Sequence, residues 1–226
     1  KDTFFSYIKY GGLPFLKNLE LSEPVVYDYL NNVYHTILFK DIISRHQIRN
    51  VSFLESLVKF LADNIGSLVS AKKISDFLKS QKISISPNIV IDYLFYICSS
   101  YFVHKVQRSE VGGKKIFEIG EKYYFEDLGL RHTIIDYNIS DINKVLENMV
   151  YRRLISLDYF VTIGKLGNKE IDFVCTKGRD KLYIQVTYLI SDDSVLEREF
   201  GNMLSIKDNY PKMVLSLDDT IKSDYK

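Results

Sequence analysis

Apolar side chains recur along this chain with two different periods, and the change from one to the other divides it. From Pro24 to about Gln47, Val26, Tyr29, Leu30, Val33, Ile37 and Leu38 keep the 3.6-residue period of one buried helix face. Glu23 and Pro24 suit the first turn of that helix. Leu54, Leu57, Val58 and Leu61 make a second stripe over 51–65, stopped by Gly66. Ser70 stands where it caps a short helix over 71–79 that turns Ile74, Phe77 and Leu78 inward. Ser86 caps another, with Pro87 at its first position and Ile91, Leu94, Phe95 and Cys98 as its apolar face. The period then falls to two: 102–107 and 115–119 read as strands joined at Gly112-Gly113, a β-hairpin. Three helices followed by a hairpin is the order of a winged helix. Ahead of all this, Phe4, Phe5, Tyr7 and Ile8 run into Gly11, Gly12 and Pro14, so 1–22 reads as a connecting segment.

The remaining residues change character. Residues 138–157 are again amphipathic, with Ile142, Val145, Leu146, Met149, Val150 and Leu154 at helical spacing and Ser140 placed as the cap. Three short strands follow, over 159–163, 170–176 and 181–189, separated by turns at 164–168 and 177–180. A helix over 192–207 carries Val195, Leu196, Phe200, Met203 and Leu204, and a last strand covers 213–217. The expected class is α+β, a helical winged-helix half followed by an α/β half. Its expected parts are a helical connector over 1–50, a winged-helix-like domain over 51–135, and an α/β domain over 136–226. No internal repeat is visible.

Composition narrows the classes without choosing a function. Apolar residues make up 46% and charged residues 26%, which excludes collagen-like and disordered chains. Thirty basic against 29 acidic side chains leave a net charge of +1, so affinity for nucleic acid must come from a local patch. The longest run free of charge and histidine, Tyr93 to Val103, is eleven residues. A membrane span needs about 18 or more, so no membrane partner is expected. Cys98 and Cys175 have neither disulfide-framework nor zinc spacing, and a reducing cytoplasm suits them. The chain opens on Lys1 with no leader-like segment, and reads as a piece of a longer protein.

Candidate chemistry concentrates in the second half. Alternation along a strand puts Gln185 and Thr187 on one face, with Asp172 able to meet them from the preceding strand if the two pair as a hairpin. Glu147 lies at the margin of its helix's buried stripe, where it can project over that surface. Two carboxylates and an amide oxygen are a hard-oxygen set of the kind Mg²⁺ uses, and such an ion activates water and neutralises a phosphodiester. On the hairpin, Lys105, Arg108, Lys114 and Lys115 outweigh Glu110 and suit phosphate contacts with DNA. The helix before it has Asp92 and no Lys or Arg, a poor surface for reading a groove. Lys122, Asp127 and Arg131 could line a site, but a charged helix end closed by Gly129 explains them without one and is the reading preferred. The four histidines lack i,i+3 or i,i+4 partners and no GxSxG is present, so metalloprotease and serine hydrolase chemistry have no support.

The order helix, three strands, helix, strand, together with Glu147, Asp172 and Gln185-Val186-Thr187, resembles the PD-(D/E)XK nuclease superfamily. That resemblance implies Glu147 and Asp172 as metal ligands, with Gln185 completing a catalytic set. Gln185 departs from the acid of that pattern and Thr187 from its lysine. The expectation is a nuclease-like remnant, an acid cluster with no cation beside it that lacks an electrostatic term worth several kcal/mol. A closer resemblance covers nearly the whole chain. Tyr7-Ile-Lys-Tyr-Gly-Gly-Leu-Pro14, Lys122-Tyr-Tyr-Phe-Glu-Asp-Leu-Gly-Leu-Arg131, Leu146-Glu-Asn148, Glu170-Ile-Asp-Phe-Val174 and Tyr183-Ile-Gln-Val186 are similar to blocks of one bacterial and archaeal class. These are ATP-binding proteins with an AAA-type ATPase core followed by a domain of unknown function, number 4143. The resemblance implies an ATPase core upstream of Lys1 that binds ATP. This chain has no GxxxxGK[ST] and no phosphate loop of its own. The expected function is an accessory region working with its own ATPase core and binding DNA or a protein partner. An active Mg²⁺-dependent nuclease and a pure protein-interaction platform are the alternatives.

Overall fold

Helices form where the apolar stripes place them, with two corrections: Phe77, Ile91 and Phe95, expected inward, are exposed, and the helix that starts at Ile142 has Asp141 rather than the expected Ser140 at its N-cap position. In a computed structural model, which describes residues 2–111, 116–190 and 193–218, eight α-helices and six strands occur among the described residues. They are α1 (Asp2–Tyr10), α2 (Glu23–Thr36), α3 (Val51–Asp63), α4 (Ala71–Ser80), α5 (Pro87–Ser99), β1 (Val103–Glu110), β2 (Ile116–Phe125), α6 (Leu128–Ile135), α7 (Ile142–Ser156), β3 (Phe160–Leu166), β4 (Lys169–Lys177), β5 (Asp180–Thr187), α8 (Asp193–Leu204) and β6 (Lys212–Ser216). Asn50, Ser70 and Ser86 each accept the third-residue N–H of the helix they open. The chain is a mixed α+β protein. No described helix is long and apolar enough to cross a membrane.

The chain packs as two compact units, one formed by Lys1–Lys105 with Tyr123–Ile139, the other by Val106–Lys122 with Ser140–Lys226. In the first unit, the single helix expected over 24–47 changes its winding at Ile37 and continues to Ser44 as a π-helix. Its buried residues Val26, Leu30, Tyr34, Leu38 and Ile42 sit at a strict interval of four. On a 3.6-residue helix such a stripe drifts by about 40° per step; the wider i→i+5 turns bring Leu38 and Ile42 back to the buried side. Residues 1–50 share one core with α3, α4 and α5, through Leu16, Val26, Leu30, Leu38 and Ile42.

Strand β2 runs on to Phe125, and Tyr123, Tyr124 and Phe125 are buried. The expected charged helix end at 122–131 is therefore corrected. Lys122 belongs to a strand, and Gly129 lies in the first turn of α6, where Asp127 is the N-cap and accepts from the Leu130 N–H at 3.0 Å. The aromatic triplet after Lys122 keeps the strand period going, which overrides the helical reading.

In the second unit the sheet order is β2-β1-β3-β4-β5-β6. β3, β4 and β5 form an antiparallel meander, β6 joins β5 in parallel, and β1 joins β3 in parallel. Helix α7 packs on β3, β4 and β5, and α8 on β4, β5 and β6. Ile171, Val174 and Tyr183 meet Met203 and Ile206 in a small core. The turn expected at 164–168 is shorter, because Gly164 is still in β3, beside a bulge at Thr162/Gly164. A Cβ there would lie 2.8 Å from Val111 and Val174, so only glycine lets the strands close.

Candidate functional site

Strand β4 carries Glu170 and Asp172 two positions apart, hence on one face, and α7 carries Glu147. Between these three acids lies the ammonium of Lys122 from β2. Its Nζ is 2.8 Å from Glu147 Oε1, 2.7 Å from Glu170 Oε1 and 3.8 Å from Asp172 Oδ1. The lysine is 3% exposed. The expectation of acids with no cation beside them is thus overturned. The cation does not come from the third strand of the meander, where Thr187 stands, but from a hairpin strand 50 residues or more earlier in the sequence.

The strand pairing reached by sequence alternation holds. Phe173 pairs with Ile184 in the antiparallel register, which brings Asp172 opposite Gln185. The Asp172 N–H donates to Gln185 Oε1 at 3.2 Å, and Asp172 Oδ2 accepts from the Val186 N–H at 2.8 Å. Glu147, Asp172 and Gln185 therefore come to one place, with Thr187 buried on the same strand face as Gln185. Lys181 and Arg198, the other cations near this region in sequence, are engaged elsewhere. Lys181 lies over the rings of Tyr183 and Tyr210, and exposed Arg198 pairs with Glu199.

Three carboxylates around one ammonium leave an excess of buried negative charge, and ionisation responds. Burial foremost, and next the Glu147 carboxylate, push the Asp172 acid up to about 8, against the pull of Lys122 and the Val186 N–H. Burial by itself would lower the Lys122 ammonium; Glu147, Asp172 and Glu170 together overcome that and hold it above the ordinary lysine value.

An Mg²⁺ ion is what the nuclease-like pattern implies here, and the residues as arranged do not fit one. The lysine fills the space between the acids, and among the described residues no group of three His, Cys, Asp or Glu side chains is placed to hold a metal. Sequence reasoning missed Lys122 and Glu170 as members of this site. One signal was available, an acid at the period-two position from Asp172; nothing in the sequence ties Lys122 to the acids.

The hairpin candidates divide. Lys105 is exposed, while Arg108 is half-buried within the part of β1 that pairs with β3 opposite Ile163. Lys114 and Lys115 lie outside the described residues. On α5, Ile91 and Phe95 are exposed one turn apart beside Asp92. In the first unit, the block Tyr7–Pro14 meets the part of the Lys122–Arg131 block that follows Lys122: Asp127 Oδ2 accepts from the Gly12 N–H at 2.7 Å, and a Cβ on Gly129 would lie 2.0 Å from the Tyr10 carbonyl oxygen.

Fold and site together define a mixed α+β protein whose α/β unit encloses a lysine among carboxylates. The chain belongs to the family described as "Domain of unknown function (DUF8612)", whose model matches residues 1–141. That span includes Lys122 and ends before Glu147. The chain is 34% identical to an uncharacterized protein of Haemophilus influenzae over 216 residues, covering 95% of this chain and 53% of the relative. It is 26% identical to an uncharacterized protein of Methanocaldococcus jannaschii over 200 residues, covering 85% of this chain and 43% of the relative. The chain spans about half the length of these relatives. No solved structure matches it.

Proposed function

We propose that this chain is the C-terminal accessory region of an AAA-type ATPase, and that a winged-helix-like part and a nuclease-like α/β part bind nucleic acid or a protein partner without cutting it. ATP would be bound by the ATPase core, outside this chain. The order α7-β3-β4-β5-α8-β6, an antiparallel meander with a parallel fourth strand, supports the nuclease-like reading. Relatives about twice as long support a second domain in the longer protein. The observation that carries the non-cutting part is that Gln185 stands where the nuclease pattern has an acid and commits its Oε1 to the Asp172 N–H, while Glu147 and Glu170 are already bonded to the Lys122 ammonium, so that the set of acids left for a metal-activated water is incomplete.

The test is incubation of the chain with plasmid and single-stranded DNA in Mg²⁺ or Mn²⁺. Expected is intact DNA; cleavage that disappears in Asp172→Ala would establish the active nuclease instead. A gel-shift titration across salt then separates the two binding modes, because phosphate contacts weaken steeply as salt rises. A salt-sensitive shift assigns nucleic acid. No shift at low salt assigns a protein partner, the mode favoured by the apolar outward positions Ile91 and Phe95 on α5 and the lack of any Lys or Arg on that helix.

A further inference from the structure

We propose that Lys122 replaces the divalent cation in the α/β unit: its ammonium is the built-in counter-ion of Glu147, Glu170 and Asp172, and the site takes no metal. The expectation of a metal rests on the nuclease-like reading above; the lysine's place rests on geometry alone.

On each of the three acids at least one oxygen that a metal would need already faces a donor. Glu147 Oε1 and Glu170 Oε1 accept from Lys122 Nζ at 2.8 and 2.7 Å. Asp172 Oδ1 faces the same nitrogen at 3.8 Å, and Oδ2 takes the Val186 N–H. Gln185, at the third-strand position where the nuclease pattern has an acid, brings no charge, and its Oε1 takes the Asp172 N–H. An Mg²⁺ ion demands oxygens at about 2.0–2.1 Å in a near-octahedral set. A nitrogen already seated at hydrogen-bond distance from two of the acids leaves no room for it. A protonated amine also cannot itself ligate a metal, since it has no free electron pair. A metal therefore has to expel Lys122 from a place where it is 3% exposed, against the attraction of three acids in a low-dielectric setting. The lysine is held from a strand that is not a neighbour of β4 in the sheet, so its side chain joins β2, β4 and α7.

The counter-ion role predicts how charge changes combine. Lys122→Met leaves buried acids uncompensated, so its urea midpoint falls well below that of the wild type. Removing the two more buried acids as well, in Lys122→Met combined with Glu147→Gln and Asp172→Asn, brings the midpoint back up, because Glu170, the acid that then remains, has a side chain 34% exposed and is solvated without the lysine. Electron paramagnetic resonance of added Mn²⁺ reads the metal directly. The wild-type chain is expected to leave the free Mn²⁺ signal undiminished up to about 1 mM, the weak end of biological cation sites. Saturable Mn²⁺ binding to the wild type that Asp172→Asn abolishes would overturn the proposal. So would Lys122→Met as stable as the wild type, or a triple variant no more stable, or no better folded, than Lys122→Met. These readouts do not involve DNA. A chain that takes no Mn²⁺ and shifts no DNA keeps the counter-ion and loses nucleic-acid binding; a chain that takes Mn²⁺ loses the counter-ion whether or not it cuts.

Discussion

A buried carboxyl beside two other acids is expensive to ionise, and Asp172 is in that position. Its pKa in the fold lies near 8, above the 3.8 of the free side chain. The fold thus prefers the protonated acid, and the stabilisation from that preference is fully present below pH 3.8 and is lost as pH rises toward 8. Asp172→Asn, which imitates the protonated form, is expected to gain stability relative to the wild type as pH rises from about 4 to about 8. Urea unfolding of both chains at several pH values gives the difference; a difference independent of pH would contradict the raised pKa. At this scale Glu147, Asp172 and Gln185 were legible in the sequence, because each sits on a single helix or strand whose period fixes its face. Lys122 was not, since its partners are 25, 48 and 50 residues away and no period connects them.

Among the elements, α6 depends on close approach more than on its own composition. Gly129 in its first turn touches the Tyr10 carbonyl at the end of α1, and Gly11, at φ +78, leaves space for the Asp127 carboxylate. Asp127 answers backbone donors on both sides, the Leu130 and Gly129 N–H groups of α6 and the Gly12 N–H, and so fixes α6 to the segment after α1. Gly129→Ala would force a Cβ to within 2.0 Å of the Tyr10 oxygen, and is expected to cost about 3 kcal/mol, the upper end for overpacking. Urea denaturation of the two chains checks it, and a loss under about 0.5 kcal/mol, ordinary for a surface change, would refute the contact. The caps of α4 and α5 and the succession of strands along the chain were readable from Ser70, Ser86 and the period-two runs; the cap of α7 was not, since Asp141 and not Ser140 stands there. The π-helical turn over Ile37–Ser44 was not, because the choice of hydrogen-bond pattern is made by the core it packs on.

For the whole molecule, the division into units runs through the hairpin and not beside it: β1 passes from one unit to the other after Lys105, and β2 returns after Lys122. A fragment of residues 136–226, the α/β part bounded by sequence, lacks the β1 segment that pairs with β3 and the lysine that compensates Glu147 and Asp172. That fragment is expected to be poorly folded, with an exposed β3 edge and buried acids unpaired. Dispersion of its amide signals in a nuclear magnetic resonance spectrum is the check. A well-dispersed spectrum like that of the same residues in the full chain would show that neither contribution is needed.

What the sequence determined by itself was local: which segments wind into helices and which extend into strands, because these follow from spacing within a dozen residues. Which apolar side chains a helix buries was decided by what packs on it, since Phe77, Ile91 and Phe95, expected inward, are exposed. The chemistry of the acid cluster was decided by tertiary structure. Charge compensation acts through space over a few ångströms, and only the folded chain brings Lys122 from the hairpin to Glu147, Glu170 and Asp172.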